Sequence, residues 1–187
     1  EMDLFGFVTV SGDFAVTKKS NQSVYVSSAV DANTLVTANL LAIGMAGVSA
    51  FVGYGSTGLN LTGVDLAIAL WSEVGGAGRQ WTSVMGSIGS AAFVGVAGLA
   101  LSVSKMTLEI NKSAADGTLV DYVAGAGETS VSALVVTVGP GQTVTFALDD
   151  ADGEYLQVAG TAEMDLFGFV TVSGDFAVTK KSNQSVY

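Results

Sequence analysis

From Leu156 to Val178 every even-numbered residue is apolar or small, running through Val158, Gly160, Ala162, Met164, Leu166, Gly168, Val170, Val172, Gly174 and Phe176. The odd positions between them include Gln157, Thr161, Glu163, Asp165, Thr171, Ser173, Asp175 and Thr179. A period of two marks a strand buried on one face, whereas a helix would scatter these carboxylates around its circumference. Phe167 and Phe169, with Phe5 and Phe7 in an earlier stretch of the same text, fall on the polar side. Part of that face is therefore expected to be covered as well.

The same parity fills Val36 to Val52 through Ala38, Leu40, Ala42, Gly44, Ala46, Val48 and Ala50, and returns at Val64, Leu66, Ile68 and Leu70. A run from Val84 to Val96 slips phase near Gly98, resumes through Leu99, Leu101 and Val103, and returns as Met106, Leu108 and Ile110. Slips of this kind are what a β-bulge produces. Val144, Phe146 and Leu148 make a last short strand, entered through the turn Gly139-Pro140-Gly141-Gln142. Loops are expected at 19–33, 53–62, 72–79, 111–130 and 149–153. Alternating runs of roughly 15–20 residues exceed the usual strand of about five or six. The expected fold is all-β, with long, mostly antiparallel curved strands in a tandem-repeat sandwich, tube or β-solenoid-like array. Antiparallel pairing is favoured over a parallel solenoid, which uses short strands with a turn every few residues.

Repetition organises the chain. Residues Glu1 to Tyr25 recur unchanged as Glu163 to Tyr187, a period of 162 residues. The expected division is one full repeat, 1–162, followed by the start of the next, 163–187, both drawn from a tandem array. An even period returns each copy to the same inside–outside phase, as a continuing sheet requires. Two identical copies should occupy the same environment. The first copy, without Val144–Leu148 before it, is expected to present a half-apolar edge that recruits another chain head to tail. The contact residues on that reading are Leu4, Phe5, Phe7, Val8, Val10 and Phe14 in the first copy, with Leu166, Phe167, Phe169, Val170, Val172 and Phe176 in the second.

Composition narrows the function. Of the 187 residues 49% are hydrophobic and only 13% charged, which excludes disorder driven by low hydrophobicity. There is no His and no Cys, so imidazole catalysis, thiolate chemistry and the usual zinc sites are gone, and no enzyme is expected. Seven basic against 17 acidic residues give a net charge of -10, which repels a phosphate backbone and argues against nucleic acid. Ala32–Val64 and Gln80–Ser104 are uncharged and long enough for membrane helices. Their Ser, Thr, Asn and Gly residues and their period of two argue against a membrane span.

One loop carries candidate chemistry. Asp149, Asp150, Asp152 and Glu154 gather hard oxygen ligands of the kind calcium selects, and calcium is the one cofactor entertained. The alternative is an acidic turn kept soluble by its charge. Asp31, Asp116, Asp121 and Glu128 would complete a site only if folding brings them near. Asn21, Asn60 and Asn111 each open a glycosylation acceptor triplet.

The segments Leu4-Phe5-Gly6-Phe7-Val8-Thr9-Val10-Ser11-Gly12-Asp13-Phe14-Ala15 and Phe93-Val94-Gly95-Val96-Ala97-Gly98-Leu99-Ala100-Leu101-Ser102-Val103-Ser104 resemble repeat units of very large bacterial surface proteins of the haemagglutinin-like or LEPR-XLL type. The resemblance implies an extracellular or cell-surface, non-enzymatic array whose partners are identical neighbouring repeats, stacked end to end into a fibre or sheath. It carries over no functional residue. The alternative is an adhesin repeat that binds a carbohydrate or a neighbouring cell through its loops. Tyr25, Tyr54, Trp71, Trp81 and Tyr122, in or beside expected loops, keep that alternative open.

Overall fold

The structure is a computed structural model that describes residues 2–4, 6–28, 31–124 and 131–182. Eleven strands follow one another: β1 (Met2–Leu4), β2 (Val8–Ser28), β3 (Asp31–Tyr54), β4 (Thr57–Glu73), β5 (Gln80–Val94), β6 (Leu99–Lys112), β7 (Leu119–Val120), β8 (Val135–Gly139), β9 (Gln142–Thr145), β10 (Tyr155–Leu166) and β11 (Val170–Lys181). Among the described residues the only helical element is a three-residue 3-10 turn, Asp150–Asp152. The main sheet has the order β1-β2-β3-β4-β5-β6-β10-β11, with β7 against the end of β2, and β8–β9 form a separate hairpin. Every pairing is antiparallel.

Several expected loops are strand. Residues 19–28 continue β2, 57–62 open β4, and 111–112 close β6. The first of these escaped the alternation because Asn21, at φ 53, is an extra residue in β2 against β3. That bulge inverts the parity, so even-numbered Val8, Phe14 and Val16 face one way while Val24 and Val26 are buried on the other.

A second row of bulges crosses the sheet at mid-height. β3 carries one extra residue against β2 at Gly47 (φ 57), and β4 carries one at Gly63 (φ 63). β5 stays in step with β4 and with β6, and β6 carries its extra residue against β10 at Lys105 (φ 51). The four inner strands thus slip together, while β10 and β11 keep an unbroken alternation. The slip expected near Gly98 is the reversal between β5 and β6; the bulge in that region is at Lys105, between Val103 and Met106.

The compensated slips leave one face of the sheet apolar over most of its height, up to an end row that carries Lys18, Thr82 and Lys112. On one side of the bulges a row of directly opposed residues runs Val8, Val52, Leu59, Phe93, Leu101, Met164, Val172. On the other side the rows run Phe14, Met45, Leu66, Gly86, Leu108, Val158, Val178 and Val16, Ile43, Ile68, Val84, Ile110, Leu156, Lys180. No described part of the chain packs over this face as a second layer, and Val16 is 70% exposed, Val178 60% and Phe14 58%.

The opposite face is covered over half its height. The described residues of 113–154, between β6 and β10, fold back across it and bury Leu134, Val136, Val138, Phe146 and Leu148 against Val24, Ala38, Leu40, Ala42, Ala69, Trp71 and Trp81. Small residues on the sheet let the β8 backbone come close. A Cβ on Gly44 would lie 2.2 Å from the Thr137 carbonyl oxygen, so only glycine fits there. The other half of this face is mostly polar, one row running Thr9, Phe51, Asn60, Ala92, Ser102, Glu163 and Ser173.

Candidate functional site

The two copies of the repeated text lie at opposite edges of one sheet and fold in the same way. In the first, Met2 opposes Val10, Asp3 opposes Thr9 and Leu4 opposes Val8. In the second, Met164 opposes Val172, Asp165 opposes Thr171 and Leu166 opposes Val170, which is the same register 162 residues later. A three-residue loop closes each hairpin. Gly6 N donates to Asp3 Oδ1 at 2.7 Å and Phe7 N to the Leu4 carbonyl at 3.0 Å. The matching bonds are Gly168 N to Asp165 Oδ1 at 2.8 Å and Phe169 N to the Leu166 carbonyl at 3.0 Å.

This loop corrects the reading of Leu156–Val178 as one strand. A loop of three residues sets Leu166 opposite Val170 on the same face, so the alternation continues through the reversal as though no turn were there. Phe7, Phe167 and Phe169 sit in the loops and do not require a cover over the polar face. Phe5 lies outside the described residues. Of the other expected contact residues, Leu4, Val8, Val10, Phe14, Leu166, Val170, Val172 and Phe176 all lie on the open apolar face.

The surroundings of the two copies differ, because β3 flanks the first hairpin and β6 the second. Beyond its hairpin the first copy continues into β2, which pairs with β3 from Val8↔Val52 to Ser28↔Asp31 on one side and is an edge of the sheet on the other, as expected of it. Val144–Leu148 is not the neighbour of the second copy: β9 pairs with β8, and β10 pairs with β6. Phe7 stacks on Tyr54 of β3 at 5.7 Å, and Gly53 N donates to the Phe7 carbonyl. The equivalent Phe169 has no such strand beside it and is 90% exposed.

The acidic loop is split by the fold. Asp149 and Asp150 come together with Asp121, their carboxylate oxygens lying within 4.8 Å of one another. Asp121 is fully buried, and its Oδ2 accepts from Asn33 Nδ2 at 3.1 Å. Asp150, 9% exposed, accepts from the Ser27 hydroxyl through Oδ2, while its buried Oδ1 has no hydrogen-bond partner. Asp149 caps the 3-10 turn, accepting from Ala151 N at 2.9 Å. Asp152 instead pairs with Lys181 at 3.1 Å, and Glu154 accepts from Ser113 N and Oγ. Of the four further acids that could complete a site, folding brings in Asp121, 28 residues before Asp149, because β7 returns to the end of β2. Three carboxylates with an orphaned buried oxygen form a set of hard oxygen donors of the type calcium takes.

The two tryptophans form a clamp. Trp71 and Trp81 are directly opposed on β4 and β5, and each gives its indole N–H to the 113–154 segment. Trp71 Nε1 donates to Tyr122 Oη at 2.9 Å, Tyr122 donates to Ser83 Oγ at 2.9 Å, and Ser83 donates to Asn111 Oδ1 at 3.2 Å. Trp81 Nε1 donates to the Thr118 carbonyl at 3.0 Å. Burial pushes the Tyr122 phenol well above its ordinary value, so it stays neutral within this chain of bonds. Beside the clamp, Arg79 lies 5.3 Å over the Trp81 ring and pairs with Glu73 at 2.7 Å, holding the Glu73 carboxyl down to about 2.

Trp71, Trp81 and Tyr122 are therefore core residues with no ring face for a sugar, and Asn111 is buried away from any glycosylating enzyme. Tyr54, 78% exposed, is the aromatic of that group that faces solvent. Among the described residues no helix is long and apolar enough to cross a membrane. Compared with protein-family models, curated proteins and solved structures, the chain matches none.

Proposed function

We propose that this chain is a structural repeat of a very large extracellular or cell-surface protein, whose main sheet runs without a break from one 162-residue unit into the next. The observation that carries the reading is the shared register of the β1–β2 and β10–β11 hairpins at opposite edges of one sheet. Because the copies are equivalent, β11 stands where β2 of a following unit would stand. Each unit then contributes six strands, β2 to β6 and β10, and an even number keeps strand direction the same from unit to unit. Phe169 finds in the following unit the tyrosine that Phe7 already has in Tyr54. At about 4.8 Å per strand a unit lengthens the sheet by roughly 29 Å. The resemblance to giant surface proteins supports the extracellular setting.

A chain extended by one further 162-residue unit tests this. Small-angle scattering should show the long dimension growing by about 29 Å, and thermal unfolding should remain a single transition, because neighbouring units share a sheet. Two independent transitions, with scattering from jointed beads, would overturn the reading.

A further inference from the structure

We infer that the open apolar face of the sheet is the inner face of a two-layer sandwich, and that the second layer is another copy of this same sheet. This goes beyond the continuation of the sheet at its edges, which concerns a different surface.

Three observations converge. The first is size. Seven long strands about 4.8 Å apart, each presenting about eleven residues at about 3.3 Å, offer roughly 1,200 Å² of sheet face. A stable interface needs about 800 Å² from each partner, and apolar patches on monomers seldom exceed about 600 Å². The second is continuity. The bulges at Gly47, Gly63 and Lys105 change the parity of the inner strands at the same height, so the apolar rows continue across the slip without turning to the polar side. A face exposed to water would have no need of that compensation. The third is charge. On a chain of net charge -10, the carboxylates of Asp13, Asp65, Glu73, Glu109, Glu163 and Asp175 all alternate to the opposite face. The open face carries lysines instead, such as Lys18 and Lys112, at one end of its apolar rows. A twofold arrangement sets these lysines at opposite ends and keeps those six carboxylates on the outside.

The two sheets would lie about 10 Å apart with strands within about 30° of each other. The chain lacks cysteine, so single cysteines report the contact cleanly. Ile88 and Ser87 are neighbours at mid-height on β5, the middle strand of the seven, where a twofold that inverts the strand ends brings equivalent residues together; Ile88 shares the apolar face with Val64 and Met106, and Ser87 shares the opposite face with Asp65 and Thr107. The full chain carrying Ile88→Cys, treated with a bismaleimide of about 10 Å reach, should become a covalent dimer, while Ser87→Cys should stay monomeric. Circular dichroism checks that both variants keep the fold. Edge continuation leaves equivalent β5 strands about 29 Å apart, out of reach of this reagent. The cross-link therefore reports the faces alone, whatever becomes of the edges. Cross-linking of both variants, or of neither, would overturn the sandwich. So would a native chain that is monomeric by light scattering and binds phosphatidylcholine vesicles through this face.

Discussion

Lys105 occupies a conformation that its side chain does not favour. Its φ of 51 lies in the left-handed region, where β3 and β4 place Gly47 and Gly63 at the same height of the sheet. An L-residue with a Cβ costs about 1–2 kcal/mol there. Lys105→Gly is therefore expected to raise stability by about 1 kcal/mol, read as a higher midpoint of urea unfolding with an unchanged slope, whereas Lys105→Val should lower it. The glycine bulges could be suspected from sequence because glycine marks such places. Lysine gives no such mark, and the only trace of this bulge is the change from odd to even apolar positions between Val103 and Met106. Phe167, at φ 55, is a similar case: its conformation is imposed by the three-residue hairpin loop, in which its N–H donates to the Gly98 carbonyl.

Among the elements, the long strands were legible and the covering segment was not. Alternation over many residues identifies a strand, but the described residues of 113–154 contain only β7, β8, β9 and one 3-10 turn. Their positions are set by particular bonds to the sheet, and no periodicity announces those. The strongest pin is Tyr122, which accepts from Trp71 and donates to Ser83. Tyr122→Phe removes the acceptor of one buried donor and the donor to another group, and should cost about 1–3 kcal/mol, measured by chemical denaturation. Packing of the ring on Phe146, with centroids 5.1 Å apart, would survive the change. The acidic cluster pins the same segment to the end of β2, through Ser27 and Asp150. Three crowded carboxylates repel one another, and a divalent cation between them would offset that repulsion. Millimolar calcium is expected to raise the melting midpoint, and Asp150→Asn should abolish the rise while Asp152→Asn leaves it. An equal rise in both variants would place the ion elsewhere, and no rise in the native chain would leave an acidic turn without a metal.

At the scale of the whole molecule, parity showed that each strand has a wet and a dry side, but not which dry side finds a partner. The inner strands have apolar residues on both faces near the covering segment. Leu40 and Leu41 are one such pair, the first buried and the second 36% exposed. Which of the two meets the 113–154 segment depends on a connection made after β6, far along the chain. The outcome is a sheet with two unlike halves. In one half, around Leu40, Ala69 and Trp81, a second layer packs over the polypeptide. In the other, around Val8, Leu59, Phe93 and Leu101, the backbone ladder is complete but the sheet is a single layer in the isolated chain. Hydrogen bonding is alike in the two halves, so a difference in their stability must come from packing. Amide exchange at concentrations where the chain is monomeric should separate them. The amides around Leu40, Ala69 and Trp81 should exchange only through global unfolding, and those around Leu59, Phe93 and Leu101 through smaller local openings. Association through the open face should then slow the second group and leave the first unchanged. Uniform protection in the monomer would mean instead that long antiparallel ladders hold a single-layer sheet together without a second layer.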